Sequence, residues 1–259
     1  MTVDIEAASG VTAEMVEAFR ERGWAAAPGF FSADEIAEIA RWTGEVTDLP
    51  ERSGAQMLYR EPSLLDADAK VVQRIEDFCP HHDGFDALMR GGPLQQAVER
   101  LIGEPALLFK DKINFKMPGG AGFEAHQDQQ AGWSTYAPWF VTALVTIDPA
   151  TIENGCLEMA GGPRVTSLIG AEWKPLTPGE LSAAPLEPVP TAPGDVLFFD
   201  SYAPHASKPN LTAQQRRILY VTYNRAADGD QRGRYFADKR ASFPPDIDRK
   251  PGDTYRFRV

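Results

Sequence analysis

The hydrophobic period of this chain changes at Gly103, and the change limits what it can fold into. Before that glycine, apolar residues recur at helical spacing. Residues 12–22 place Met15, Val16 and Phe19 on one face and stop at Gly23. Ser32-Ala-Asp-Glu35 has the form of a capping box, Ser at N-cap and Glu at N3, and opens a helix through Ile36, Ile39 and Trp42. Pro93 opens another through Leu94, Ala97, Val98 and Leu101, closed by Gly103. Between the first two, Trp24-Ala-Ala-Ala-Pro-Gly-Phe30 is short and apolar, an edge strand ended by Pro28-Gly29. Residues 43–70 are polar and read as loop.

After Gly103 the period falls toward 2. Residues 107–117 put Lys110, Lys112, Asn114 and Lys116 on one face and Phe109, Ile113 and Phe115 on the other. Pro118-Gly-Gly-Ala-Gly122 is a turn, and residues 140–147, 155–160, 195–200 and 217–223 are further strands. Six prolines between Pro175 and Pro193 predict an extended surface loop. The order is helices first, then a β-barrel or sandwich. With 259 residues and no repeat or linker, a single domain is expected.

Charge and cysteine usage narrow the function. The 26 basic against 37 acidic side chains give a net charge of −11. Nucleic acid and anionic membrane are therefore excluded as main partners, since both are met by basic surfaces. No apolar run approaches a membrane span, and Met1-Thr-Val-Asp-Ile-Glu6 is not a signal peptide. Cys79 and Cys156 are too few for a disulfide framework or a cysteine zinc cluster, and read as reduced thiols of a cytoplasmic protein.

Only four histidines are present, so histidine metal chemistry has few candidates. In an extended His126-Gln127-Asp128 the first and third side chains point the same way. His205, in Pro204-His-Ala-Ser207 after the strand at 195–200, supplies a third ligand. Two histidines and a carboxylate with open positions opposite form the facial triad of non-haem Fe(II) oxygenases. His81 and His82 are adjacent in a turn-like segment and carry no metal reading. Arg216 follows His205 by eleven residues, at the start of a strand that a hairpin would carry back beside the third ligand. A guanidinium there offers a fork for a carboxylate. Periodicity does not choose between Arg216 and Arg217, because Ile218 and Tyr220 run with the first and Leu219 and Val221 with the second.

These segments, in this order, resemble the phytanoyl-CoA dioxygenase family of Fe(II)/2-oxoglutarate oxygenases. The resemblance runs from Gly23-Trp-Ala-Ala-Ala-Pro-Gly-Phe-Phe-Ser-Ala-Asp-Glu-Ile36 through Phe109-Lys-Asp-Lys-Ile-Asn-Phe-Lys-Met-Pro-Gly-Gly120 and His126-Gln-Asp128. Asn154-Gly-Cys-Leu157, Pro193-Gly-Asp-Val-Leu-Phe-Phe199, Pro204-His-Ala-Ser207 and Arg216 complete it. Gly161-Gly-Pro-Arg164 departs from the small-residue–His segment that often stands there.

The resemblance implies a mainly β chain with flanking helices, a double-stranded β-helix (jelly roll, cupin-like). One oxygenase domain over 1–259 then divides into a mostly helical flank at 1–103, a jelly-roll core at 104–225 and a C-terminal extension at 226–259. It further implies Fe(II) held by His126, Asp128 and His205, with O2 and 2-oxoglutarate as co-substrates. The 2-oxoglutarate is held by Arg216, which the family's spacing favours over Arg217, with Ser207 helping; Lys112 and Asn114, on one strand face beside the iron, are further contacts. Asp128 stands where related halogenases carry a small residue, so hydroxylation is implied, with 2-oxoglutarate decarboxylated to succinate and CO2.

Two features address the substrate. Trp133, Tyr136 and Trp139, with Tyr202 near His205, could cage an ammonium, and the lysine row could meet an anion. Together with Gln127 these are the substrate candidates, and they describe a small polar, zwitterionic molecule such as an aminoalkylphosphonate. The Lys-Ile-Asn, Pro-Gly-Gly and His-Gln-Asp run looks like bacterial relatives that hydroxylate such compounds. The alternatives are an acyl-CoA or other small-metabolite hydroxylase of the same family and a non-catalytic metal-binding jelly roll. The last has no use for Arg216, and a zinc hydrolase would need a general base such as that of His-Glu-x-x-His, a motif that does not occur.

Overall fold

The computed structural model describes residues 10–255; residues 1–6, read above for a signal peptide, lie outside them. The helices form where the caps predict. Helix α1 (Ala13–Arg22) starts at Thr12 and ends on Gly23 in the left-handed conformation. Helix α2 (Ala33–Asp48) carries both halves of the Ser32–Glu35 capping box. Two more are α3 (Asp83–Met89) and α4 (Pro93–Ile102), the latter with Pro at its start and left-handed Gly103 at its end.

Among the described residues eleven strands make two antiparallel sheets, as expected of a jelly roll. They are β1 (Trp24–Ala27), β2 (Met57–Pro62), β3 (Lys70–Glu76), β4 (Ala106–Lys116), β5 (Phe123–His126), β6 (Val141–Thr146), β7 (Leu157–Ala160), β8 (Leu186–Val189), β9 (Val196–Asp200), β10 (His205–Ser207) and β11 (Arg216–Arg225). The large sheet runs β1-β9-β6-β11-β4-β3-β2 and the small one β5-β10-β7-β8. Alternation decides the packing. Val141, Ala143 and Val145 of β6 point outward into a core shared with Phe19, Ile39, Val98 and Leu101 of the helices. Leu144 points inward and meets Leu197, Phe199, Leu157 and Met159 between the sheets.

Several elements depart from expectation. The polar stretch 43–70 contains the end of α2 and all of β2, and β2 and β3 join the large sheet, so the first hundred residues are not mostly helical. Strand β8 lies within the proline-rich loop. A fifth helix, α5 (Arg232–Ser242), follows β11. Phe109 leaves the face of Ile113 and Phe115 because the β4–β11 register shifts between Thr222 and Tyr223, where Lys110 and Leu108 are the partners. This bulge turns Phe109 into a separate aromatic cluster with Trp133, Phe140 and Tyr235.

His82 caps α3 and its Nε2 lies 3.0 Å from Glu45. Both cysteines are free and buried. Among the described residues no helix is long and apolar enough to cross a membrane.

Candidate metal centre and active-site cavity

Strand pairing brings the metal candidates together. His126 ends β5 and stands opposite His205, the first residue of β10, with ring centroids 4.3 Å apart. Gln127 is extended, and Asp128 opens a short 3-10 turn ending at left-handed Gly132, so His126 and Asp128 share one side. Asp128 Oδ1 lies 3.8 Å from His126 Nε2 and 3.9 Å from His205 Nε2. The three ligand atoms fall within 4.8 Å of one another, and no other group of three or more such residues occurs among the described residues.

The histidines are held in one tautomer. His126 Nδ1 donates to the Glu124 carbonyl at 2.7 Å and His205 Nδ1 to that of Ala203 at 2.9 Å. A carbonyl only accepts, so each Nδ1 keeps its proton and each Nε2 lone pair faces the shared point. Burial, with His205 beside it, pushes His126 down to about 3, so it is neutral at pH 7 and ready to ligate. Burial opposes ionisation of Asp128, but His205, His126 and Lys112 outweigh it and keep the carboxyl below its ordinary value. Two imidazoles turned Nε2-inward and a carboxylate fit a divalent metal.

On one side of the triad a narrow cleft is lined by Lys112, Asn114, Ser207 and Tyr220 as well as by the ligands. Register explains the set: Arg216, Ile218 and Tyr220 of β11 pair with Lys116, Asn114 and Lys112 of β4, and Arg216, Tyr220, Asn114 and Lys112 share the inner face. Arg216 is 1% exposed, and its Nε and Nη1 have no hydrogen-bonding partner. Burial pulls its pKa down, with Tyr220 beside it acting the other way. A buried guanidinium with unmatched donors fits an anionic ligand. Arg217 turns outward into a two-bond pair with Asp148, both at 2.8 Å, so the pleat that periodicity left open is resolved. Tyr220 was not singled out in advance; its parity with Arg216 is the signal that finds it.

On the other side lies a cavity of about 750 Å³. Lys110, Lys112 and Lys239 line it together with Trp133, Tyr136, Tyr235, Trp173 and Asp238. Lys110 belongs to a buried charge cluster around Glu76, which lies 2.8 Å from Arg74 Nε, 2.5 Å from Lys239 Nζ and 3.9 Å from Lys110 Nζ. One carboxylate therefore faces three basic side chains, and burial with Lys110 nearby pulls Lys239 well below the usual lysine range. Burial and the neighbouring Lys110 push Lys112 down to about 7. Lys116, fourth of the row, is elsewhere: its Nζ donates to the carbonyls of Gly155 and Lys208.

The expected ammonium cage is not assembled. The Trp133 ring already faces Lys110 Nζ at 5.4 Å, and Tyr136 faces Arg234 at 5.2 Å. Trp139 packs on the helix-side core. Tyr202 donates to the Pro138 carbonyl and does not line the cavity. Gln127 is fully buried, with its amide bonded to Ser167, Ile169 and Tyr202 backbone. Sequence reading missed Glu76, Tyr235, Asp238 and Lys239, which lie far from the ligands in the chain.

The family profile described as phytanoyl-CoA dioxygenase (PhyH) matches residues 19–218. The chain belongs to the phytanoyl-CoA dioxygenase family. It is 37% identical to a 2-aminoethylphosphonate dioxygenase of an uncultured bacterium, covering 94% of this chain and 93% of the relative. It is also 37% identical to a methylphosphonate hydroxylase of Gimesia maris, covering 90% and 88%. The crystal structure of the epimerase SnoN in complex with Fe3+, alpha ketoglutarate and nogalamycin RO shares the fold, with TM-score 0.67, 20% identity and coverage of 94% and 91%. This family is one of Fe(II)/2-oxoglutarate-dependent oxygenases, so the protein is an enzyme of that class, a dioxygenase using Fe(II), 2-oxoglutarate and O2.

Proposed function

We propose that the protein hydroxylates a carbon of a small organophosphonate, with His126, Asp128 and His205 as the iron ligands. The observation that carries this reading is the convergence of three amine donors on the cavity, Lys110, Lys112 and Lys239, of which Lys110 and Lys239 lie beside Glu76. A phosphonate brings up to two negative charges and three acceptor oxygens, which match ammonium donors. The two relatives described above are named for phosphonates, which supports the same chemistry. Asp238 also lines the cavity and accepts from the Tyr136 hydroxyl at 2.8 Å. It is the counter-charge that the ammonium of an aminoalkylphosphonate meets.

When bound, iron supplies the chemistry by which R–H, O2 and 2-oxoglutarate become R–OH, succinate and CO2. The chain supplies the rest. Arg216 binds the distal carboxylate of 2-oxoglutarate, and Tyr220, Ser207, Asn114 and Lys112 line the approach to the metal. Lys112, His126 and Asp128 border both chambers and so hold the co-substrate end against the substrate end. Lys110 and Lys239 fix the phosphonate, which presents the neighbouring carbon to the side of the triad that borders the cavity. Trp133, Tyr136 and Tyr235 exclude water from the site.

The test is an anaerobic Fe(II) and 2-oxoglutarate titration followed by visible absorption, and then succinate release with 2-aminoethylphosphonate, methylphosphonate and acyl-CoAs. A charge-transfer band that is lost in Arg216→Ala, with turnover stimulated by phosphonates, is expected. A band unchanged in that variant overturns the co-substrate assignment, and stimulation by acyl-CoAs alone overturns the phosphonate assignment.

A further inference from the structure

We infer that Trp173 is a specificity-determining wall of the substrate cavity, and that Gln127 and Gln130 are the positioning residues that hold it there. The inference rests on the cavity being the substrate chamber. It holds for any small substrate bound there.

Trp173 lines the cavity, and its backbone φ is +64°, in the left-handed region that bulky side chains avoid. Strain of that kind persists only where the surroundings over-determine it, and it gathers at functional sites. The indole lies over Gly132, itself left-handed, where an added Cβ would come within 2.3 Å of Trp173 Cζ2. A side chain at 132 would thus evict the ring.

The surroundings that force the strain are two buried glutamines on either side of Asp128. Trp173 N–H donates to the Gln130 carbonyl at 2.9 Å. The Gln130 side-chain amide donates to the carbonyls of Ala171 and Lys174, both at 2.8 Å, and so brackets Trp173 from both sides. Its Oε1 accepts from Gln127 N–H at 2.8 Å. Gln127 Nε2 donates to the Ser167 carbonyl at 2.9 Å, and Gln127 Oε1 accepts from Ile169 N–H at 2.8 Å. Leu176 N–H closes the strap on the Ala125 carbonyl at 2.7 Å. Every amide group of both side chains is used, and the partners lie on the loop carrying Trp173, the Tyr202 carbonyl and the Gln127 N–H apart. The loop at 167–176 is therefore tied to the segment that carries His126 and Asp128. Ring and metal site keep a fixed relation.

A wall held so limits the length of the bound molecule and keeps water from the His126 and Asp128 side of the cavity. Trp173→Gly, Trp173→Ala and Gln130→Leu test this in the full chain. Trp173→Gly removes both ring and strain: substrate KM should rise about tenfold and succinate formed per hydroxylated product at least threefold. Its Tm should stay level or rise, because glycine accepts the conformation; a merely structural tryptophan would instead lower Tm and leave KM and coupling alone. Gln130→Leu should speed amide exchange over 167–176 at least tenfold and show the same coupling defect. Unchanged KM and coupling in both Trp173 variants overturns the wall. Faster exchange with intact coupling in Gln130→Leu overturns the positioning role. If the wild type turns over no phosphonate, the functional reading fails separately. The wall is then judged by Tm and by substrate-free succinate formation, which must rise at least threefold in Trp173→Gly for the inference to stand.

Discussion

The ammonium of Lys239 lies 2.5 Å from a carboxylate oxygen of Glu76, a residue with no solvent exposure. This contact joins α5 to β3, and so ties the last α-helix among the described residues to the sheet that carries Lys110 and Lys112. Two more acids assist: Asp77 pairs with Arg232 at 2.8 Å and Arg240 at 2.7 Å, and Asp111 pairs with Arg232. Helix α5 is thus docked by ion pairs as well as by the buried rings of Tyr235 and Phe236.

Removing the acid from such a cluster leaves its cations buried and uncompensated. Glu76→Gln should destabilise the protein by about 3–5 kcal/mol, the cost of breaking a buried pair from one side. Urea unfolding at pH 7 measures it. A loss below about 1 kcal/mol would show that Glu76 is not the anchor of α5.

The same carboxyl sets an acid limit. Burial alone would raise its pKa, but Lys110, Lys239 and Arg74 more than offset this and hold it far below the usual carboxylate range. A folded pKa below the unfolded value of about 4.3 gives stability that is complete above that value and is lost as pH falls through it toward the folded one. The stability gap between wild type and Glu76→Gln should therefore be constant from pH 7 to about 5 and shrink below about 4. Urea midpoints across that range are the check.

Lys110→Met and Lys239→Met each remove a donor from the cavity floor. Loss of one charge-assisted bond of about 2 kcal/mol should raise phosphonate KM roughly 30-fold. The 2-oxoglutarate KM, read in the same assays, should hardly move.

Arg216 and Arg217 are neighbours with opposite fates. Arg216→Ala should raise 2-oxoglutarate KM about 100-fold, equivalent to about 3 kcal/mol, with little loss of Tm, because the side chain it removes is buried without full pairing. Arg217→Ala breaks only a partly exposed pair with Asp148 and should cost about 1 kcal/mol or less of stability. Its 2-oxoglutarate KM should match wild type; the reverse pattern would exchange the two roles.

Asp128→Ala should weaken Fe(II) binding by more than about 100-fold in anaerobic calorimetry, since a ligand matters at least as much as the groups that orient one. Hydroxylation should disappear with it. Retained activity would contradict the triad.

Much of the fold and the metal site could be read from sequence because local chemistry fixed them. The Ser32–Glu35 box, Pro93 and Gly103 mark helix ends by backbone hydrogen bonding alone. His126 and Asp128 need only an extended residue between them. What escaped depended on distant partners. Strands β2 and β3 bury Arg74 and Glu76, so charges stand where alternation expects apolar residues. Helix α5 buries Tyr235 and Phe236, but Arg232 and Lys239 are buried beside them in ion pairs and break its apolar stripe. Phe109 changes face through a bulge set by β11, and Gln127, placed beside two ligands, turns away to hold a loop. None of these is visible in the spacing of one segment.

The helix Arg232–Ser242 lies beyond residues 19–218, the stretch matched by the family profile. The candidate iron ligands therefore fall in one part of the chain, and three side chains of the cavity that we propose takes the substrate, Tyr235, Asp238 and Lys239, in another. A graft of the segment after Arg225 between relatives is expected to exchange part of the diet while leaving those ligands in place.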